Sequence, residues 1–298
     1  MLSEMYEYHI GQTPLIRMPD INGNQIYIKA ESYNYLGSIK ARTGYYLIKM
    51  LPSEAIGKTI IESTSGNLGF ALGFFCKEAG MDFVALIDPS IANSKQKRLE
   101  NANIKYQNVD AFPGMDYRSS RIMMAKNMTQ SGKYFWINQY HNKAGVQAHE
   151  CTTAPEIYEQ TDHRVTHIVC AMGSCGTICG LGRFFHKYDP VVKIIGTEPY
   201  GSTIYGEVHC SYLNVGAGLI GKPGNLIDNP DTVDEAFAVR DEDSIRSAQV
   251  LWERHHFNAG VTTGMSYYIA QRIASIISEG CIVVISPDGR ESYSEYLQ

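Results

Sequence analysis

One lysine stands between a Gly-Ser pair and an arginine in LGSIKAR (residues 36–42), where the pattern reads as a loop running into a helix. An amine at such a place is either a solvated surface charge or a nucleophile held for covalent chemistry, and a buried lysine shifts its pKa readily. The seven residues alone leave Lys40 open between the two. Two other stretches bear on it. In ESTSGNLG, the residues Ser63, Thr64, Ser65, Gly66 and Asn67 bring hydroxyls, an amide and free N–H groups to a strand-to-helix loop. Such a set suits a carboxylate, with Gly66 allowing close approach. In GSCGT, the residues Gly173, Ser174, Cys175, Gly176 and Thr177 follow the strand-like THIVCAM and open a helical segment, an anion nest suited to a phosphate. Each loop taken singly is equally a helix cap with a tight turn.

Neither loop is a nucleotide signature. GSCGTICGLG never gives G-x-G-x-x-G with an acid about twenty residues on, and it lacks the G-K-[ST] of a P-loop. A phosphate cradle, a carboxylate cradle and a candidate amine together are what a pyridoxal phosphate enzyme requires. Other residues that could do chemistry have plainer readings. His255 and His256 stand at a helix C-terminus, which favours histidine electrostatically, and Asp241, Glu242 and Asp243 complement a helix N-terminus. His149 with Glu150 and Cys151 reads as structural rather than as a catalytic Cys–His pair. Of twenty scattered tyrosines, Tyr140 beside Gln139 is assigned to a pocket edge.

The elements that must position these residues follow from periodicity. Strand-length apolar runs (KTIIES, DFVALID, THIVCAMG, VKIIGTEP, CIVVISP) alternate with helical segments almost throughout, the pattern of an α/β fold with strands buried on both faces. LIRMP and QIYIKAE, joined by DINGN, read as a hairpin. A weak boundary near residue 145 suggests two lobes. The chain of 298 residues has a formal net charge of −5 with 44% hydrophobic and 19% charged residues, which disfavours nucleic acid or a membrane surface as partner. MLSEMYEYHI lacks the pattern of a signal peptide, and a cytoplasmic location is expected. The seven cysteines are odd in number and lie mostly in apolar runs; Cys170, Cys175 and Cys179 lack paired metal-ligand spacing, so neither disulfides nor a metal site is expected.

The order of GQTPLIRM, GSIKAR, ESTSGNLG, WINQYHN, AHECTTAPEI, GSCGT, GTEP, GAG, NAGVTTG and SPDGRESY resembles the fold type II pyridoxal phosphate enzymes, the cysteine synthase family most closely, from about Gly11 to Tyr293. The resemblance implies two open parallel-sheet lobes like those of the tryptophan synthase beta subunit. They would span 1–145 and 146–298, with 13–30 a candidate to pack on the other lobe. It implies pyridoxal 5′-phosphate as cofactor, Lys40 as the Schiff-base lysine and Asn67 on the cofactor's 3′-oxygen. It places the phosphate on Gly173, Ser174, Cys175, Gly176 and Thr177, Thr262 beside the pyridine nitrogen, and the substrate carboxylate on Thr64, Ser65, Asn67 and Gln139. A neutral hydroxyl at Thr262 makes the ring a weaker electron sink than an aspartate would, which favours β-elimination and replacement through an aminoacrylate. Small amino acids, and a second copy of the chain in a homodimer, are the expected partners.

Departures bear on substrate. Cys175 stands at a glycine of the usual G-T-G-G-T, Leu68 follows Asn67 where threonine is usual, and DGRESY is a reshuffled S-G-E-R-Y. ESTSGNLG and WINQY look more like the siderophore-pathway branch that makes N-(2-amino-2-carboxyethyl)-L-glutamate from O-phosphoserine and glutamate. Sulfide as nucleophile is the alternative within the class, and a catalytically silent binding or regulatory protein the alternative outside it. Retention of Lys40 and Asn67 argues against silence.

Overall fold

The computed structural model describes residues 2–64, 66–89, 91, 93–293 and 297. β1 (Leu15–Ile21) and β2 (Asn24–Ala30) form the antiparallel hairpin, turning at Asn22 and Gly23, which both take positive φ (50° and 80°) as the Asn-Gly pair allows. There follow α1 (Lys40–Lys49), β3 (Thr59–Ser63), α2 (Asn67–Glu78), β4 (Phe83–Ile87) and α3 (Asn93–Asn101). β5 (Tyr106–Asn108), α4 (Tyr117–Thr129) and β6 (Tyr134–Trp136) complete this part of the chain. The rest gives α5 (Lys143–Ala148), α6 (Ala154–Gln160), β7 (His167–Ala171), α7 (Gly176–Tyr188) and β8 (Lys193–Pro199). It ends with α8 (Gly224–Ile227), β9 (Glu235–Val239), α9 (Asp241–His255), α10 (Val261–Ala274) and β10 (Cys281–Ser286).

Among the described residues these strands make two sheets. One is wholly parallel in the order β5-β4-β3-β6. The other runs β1-β2-β10-β7-β8-β9 and is parallel except at β1. The hairpin near the start of the chain thus completes the sheet built by its last third. Asn24 fixes it there, its buried Nδ2 donating to the Ala274 and Ile277 carbonyls at 2.9 Å each. Every residue of β10 is buried, as a strand covered on both faces demands. α1 and α2 pack on the smaller sheet around Tyr45, Leu72 and Phe75. The larger sheet is covered on one side by α7, through Ile178, Leu181 and Phe185, and on the other by α10, through Met265, Ile269 and Ile273.

The helical pattern of AHECTTAPEIYEQT resolves into α5, a π-helical turn at His149–Thr153, and α6. Pro155 has no N–H for the carbonyl one turn back, so the helix opens a wider turn ahead of it. The carboxyl ends of β3 and β7 lead into the two polar loops, and helices α2 and α7 begin just after them. That is where parallel sheets place ligands.

Candidate active site

A single cavity between the sheets brings together Lys40, Thr64, Gly66, Asn67, Gln139, Tyr140, the 173–177 loop and Thr262. Ser65 lies outside the described residues. Lys40 is the first residue of α1 and is half-buried, its side chain lining the cavity. Burial pushes its amine below the ordinary lysine value, against the pull of Cys170, Asp288 and Cys175. A depressed amine is the nucleophilic form. The strand-like approach to it is pinned by Ile39 N–H on the Pro287 carbonyl at 2.8 Å and by pairing of Ser38 with Asp288.

The carboxylate loop is wound on Thr64. Its buried Oγ1 accepts from Gly69 N at 3.0 Å and Gly66 N at 3.5 Å, which leaves its own O–H to donate. Asn67 opens α2 and is held at both ends: Nδ2 donates to Asp288 Oδ2 at 2.8 Å, and Oδ1 accepts from Arg98 Nη1 at 3.2 Å. One Nδ2 hydrogen stays available to a ligand. Gln139 donates from Nε2 to the Ser63 carbonyl at 3.1 Å and from its backbone to Glu62 Oε2 at 3.1 Å. Burial pushes Glu62 up to about 8, so it stands neutral beneath this loop at pH 7.

The phosphate loop precedes the thirteen-residue α7, whose first N–H groups have no intrahelical acceptor. A Cβ at Gly176 would lie 3.1 Å from the Gly145 carbonyl oxygen, a tight contact that glycine relieves where the loop packs on α5. Cys175 holds φ 60° in the left-handed region, a conformation that costs an L residue about 1–2 kcal/mol and explains why glycine is usual there. Thr177 Oγ1 meets His149 Nε2 at 3.2 Å, and the same nitrogen meets Thr43 Oγ1 at 3.0 Å, while Nδ1 meets Thr153 Oγ1 at 2.9 Å. Burial, then Lys40 and Arg42, push His149 far below its ordinary value, so it is a neutral link between α1 and the loop. Its reading as structural accords with this place.

At the far end, Thr262 lies in a hydrogen-bond chain whose direction is determined. Gly216 N–H donates to Asn214 Oδ1 at 3.2 Å, so that oxygen is an acceptor. Thr262 therefore donates to it at 2.7 Å, and its oxygen accepts from the Tyr293 hydroxyl at 2.6 Å. Thr262 is left with acceptor capacity and no charge.

The site also uses residues that motif reading passed over. Asp288, Tyr293, Lys95, Arg118 and Arg121 line the same cavity. Buried Asn225 donates to the Gln139 and Ser174 carbonyls at 2.8 Å each and so ties the carboxylate side to the phosphate loop. DGRESY held Asp288 and Tyr293 in view, and the i,i+3 spacing in RSSR could have signalled the two arginines. Asn225 carries no such signal. Among the described residues no His/Cys/Asp/Glu cluster could hold a metal, and no helix is long and apolar enough to cross a membrane.

A half-buried amine held below its ordinary pKa, a glycine-cradled helix N-terminus and a hydroxyl-lined far wall in one cavity define a class of site that fits an aldehyde cofactor bearing a phosphate. A family model described as pyridoxal-phosphate dependent enzyme matches residues 6–288. Cysteine synthase B of Escherichia coli (strain K12) is 30% identical over 297 residues, 96% of this chain and 93% of that protein. Cysteine synthase of Aquifex aeolicus is 29% identical over 299 residues, 95% of this chain and 88% of that one. The crystal structure of O-acetyl serine sulfhydrylase isoform 3 from Entamoeba histolytica matches with a TM-score of 0.88 at 25% identity, covering 99% of this chain and 90% of that one. That of O-ureido-L-serine synthase matches with a TM-score of 0.86 at 25% identity, covering 98% and 93%. The chain belongs to the pyridoxal-phosphate dependent enzymes. Within them it is a cysteine synthase-like, β-substituting enzyme with pyridoxal phosphate as its cofactor.

Proposed function

We propose that this enzyme replaces the β-substituent of an O-activated L-serine, O-phosphoserine or O-acetylserine, with an amine such as L-glutamate, giving a precursor of 2,3-diaminopropionate. The observation that carries β-replacement is the meeting of Lys40, the Thr64–Asn67 side and the 173–177 nest in one cavity. The amine acceptor is supported by Leu68 after Asn67 and by the WINQY stretch, where the chain departs from sulfide-using relatives.

Pyridoxal phosphate, held by Lys40 and the 173–177 loop, supplies a carbonyl that condenses with amines and a ring that draws electrons from the substrate Cα. The chain's residues do the rest. The Thr64 hydroxyl and the N–H groups that open α2 hold the substrate carboxylate, and Gln139 closes its other side. That grip turns the Cα–H bond toward Lys40, whose amine, held below its ordinary pKa by burial, takes the proton. Thr262, uncharged and already donating to Asn214, offers no carboxylate to hold the ring protonated, so charge does not linger at Cα and the β-substituent departs. Closure of the Thr64–Asn67 loop keeps water from the open site between the two halves of the reaction.

A second reading, sulfide as acceptor, is favoured by the identity to cysteine synthase B. Mass spectrometry of products from O-acetylserine and O-phosphoserine, each with glutamate, sulfide and other amines, separates them. A glutamate adduct formed from either donor is the expected result. Cysteine alone overturns the amine reading, and no replacement product by fully loaded enzyme overturns both.

A further inference from the structure

The cavity wall is unevenly charged. Among its described lining residues four are basic (Lys40, Lys95, Arg118 and Arg121) and one is acidic, Asp288. Lys40 is committed to the cofactor. The phosphate needs no cation, because a helix N-terminus receives it, and the α-carboxylate has the Thr64 loop, over which Lys95 stands with Nζ 3.7 Å from where a Cβ on Gly66 would lie. Arg118 and Arg121 have no part in that chemistry.

They lie three residues apart on α4, on one helix face, and both face the cavity beside Tyr140. Arg121 is 4% exposed; its Nη1 pairs with Asp88 Oδ2 at 2.7 Å, but its buried Nε–H has no hydrogen-bond partner. Arg118 reaches across the cleft, donating from Nη1 to the Gly218 carbonyl at 2.8 Å, with Tyr212 beside it. Arg118, which faces the cavity and bonds the Gly218 carbonyl and Tyr212, stands next to Arg121 with its unpartnered buried Nε–H, and the two guanidiniums make a fork that fits an oxyanion. A buried donor without a partner is costly, and an oxyanion in the cavity would supply the acceptor.

We propose that Arg118 and Arg121 form a subsite for a side-chain oxyanion of the substrate, a phosphate or carboxylate distinct from the α-carboxylate and from the cofactor phosphate. It rests on the β-replacement reading and narrows the substrate class, since an acetyl group and sulfide bring no such dianion or carboxylate in the ground state. The oxyanion has two sources, the phosphate of a phosphorylated serine donor or the side-chain carboxylate of an acidic amine acceptor.

The test is equilibrium binding to the cofactor-loaded enzyme of L-2-amino-4-phosphonobutyrate, a phosphoserine isostere with no β-leaving group, against uncharged L-norleucine. It is joined to the KM for L-glutamate, in wild type, Arg118→Gln and Arg118→Lys. Arg118 is half-buried, and Arg118→Lys, which keeps the charge and the stem, together with an unchanged circular dichroism spectrum separates loss of the subsite from loss of the fold. A phosphate source predicts that Arg118→Gln weakens the phosphonate about tenfold or more, leaves norleucine unchanged and is partly rescued by lysine. A carboxylate source predicts unchanged phosphonate binding and a KM for glutamate raised by a similar factor. Equal shifts for phosphonate and norleucine, or no shift in any of the three measurements, overturn the subsite. Selective phosphonate binding by an enzyme that forms no replacement product would instead overturn the reaction reading and leave the subsite standing.

Discussion

Replacing Arg42 by glutamine is expected to destabilise the fold by about 3–5 kcal/mol at neutral pH, and by less as the pH falls. The side chain is wholly buried. It donates from Nε and Nη2 to Glu31 at 2.7 and 2.9 Å, from Nη1 and Nη2 to Glu156 at 2.6 and 2.7 Å, and from Nη2 to Thr13 Oγ1 at 3.2 Å. Lys29, donating to Glu156 at 2.7 Å, balances two cations against two carboxylates. Summing the lost bonds at about 1.5–3 kcal/mol each overshoots, because the orphaned Glu31 can take up a proton instead. Neutralising a carboxyl of ordinary pKa about 4.3 at pH 7 costs about 3.7 kcal/mol, and that sets the scale. In the wild type, burial pushes Glu31 up, but Arg42 and Thr13 outweigh it and the net pKa lies below the ordinary value. That contribution is present above the unfolded pKa and is lost as pH falls through the lowered folded one. In the variant the strongest opponent of burial is gone and only Thr13, Asn34 and Lys29 remain, so Glu31 is raised relative to the wild type and the penalty grows as pH rises above about 4.3. The two proteins should therefore differ most near neutrality and converge only as the pH falls below about 4. Urea denaturation followed by circular dichroism across that range measures the gap. A deficit below about 1 kcal/mol, the worth of a surface pair, or one independent of pH, would refute the reasoning.

Lys40→Ala should abolish the borohydride-fixed link to the cofactor, read by mass spectrometry; pyridoxyl recovered on another lysine of the wild type would contradict the assignment. Gly176→Leu should weaken cofactor affinity by about tenfold or more in equilibrium dialysis, because the added side chain meets the Gly145 carbonyl and displaces the loop; unchanged affinity counts against the nest. Glu62, raised to about 8 by burial, contributes stability that is full below the unfolded pKa of about 4.3 and is lost as pH rises through about 8. Glu62→Gln should accordingly flatten stability against pH across that window and gain about 2–4 kcal/mol at pH 7; a curve parallel to the wild type rejects the buried neutral acid.

What could be read from the sequence was what the chain keeps local. Lys40, Thr64 to Asn67 and the 173–177 loop are short runs whose residue types carry their chemistry, and the strand and helix periods around them needed no partner to be seen. The rest depends on contacts between distant segments. Asp288 meets Asn67 across 221 residues, and Asn225 reaches Gln139 and Ser174 across 86 and 51. Arg42 stood in full view in GSIKAR, yet its burial follows from Glu31 and Glu156, neither of which marks itself in a pattern. The π-helical turn was hidden for a different reason: it lies within a continuous helical stretch, and the break comes from Pro155 just after it.

The two faces of α1 divide the work of the site. Residues 40 and 42 lie about 200° apart around a helix, so an amine facing the cavity puts the guanidinium two positions on into the protein. Arg42 anchors the back of the helix to β2 and α6 through the balanced ion cluster. Thr43, one position further, bonds His149, and His149 bonds Thr177. Helix α1 and the 173–177 loop are thus two hydrogen bonds apart through an imidazole that burial keeps neutral. Neutrality matters at both ends. A charged imidazole beside Lys40 would press the amine further down, and one beneath the 173–177 loop would bind anions without regard to shape. With His149 uncharged and the cluster summing to zero, neither places a charge beneath the 173–177 loop. Burial then holds the Lys40 amine below its ordinary value without help from a neighbouring charge on the imidazole.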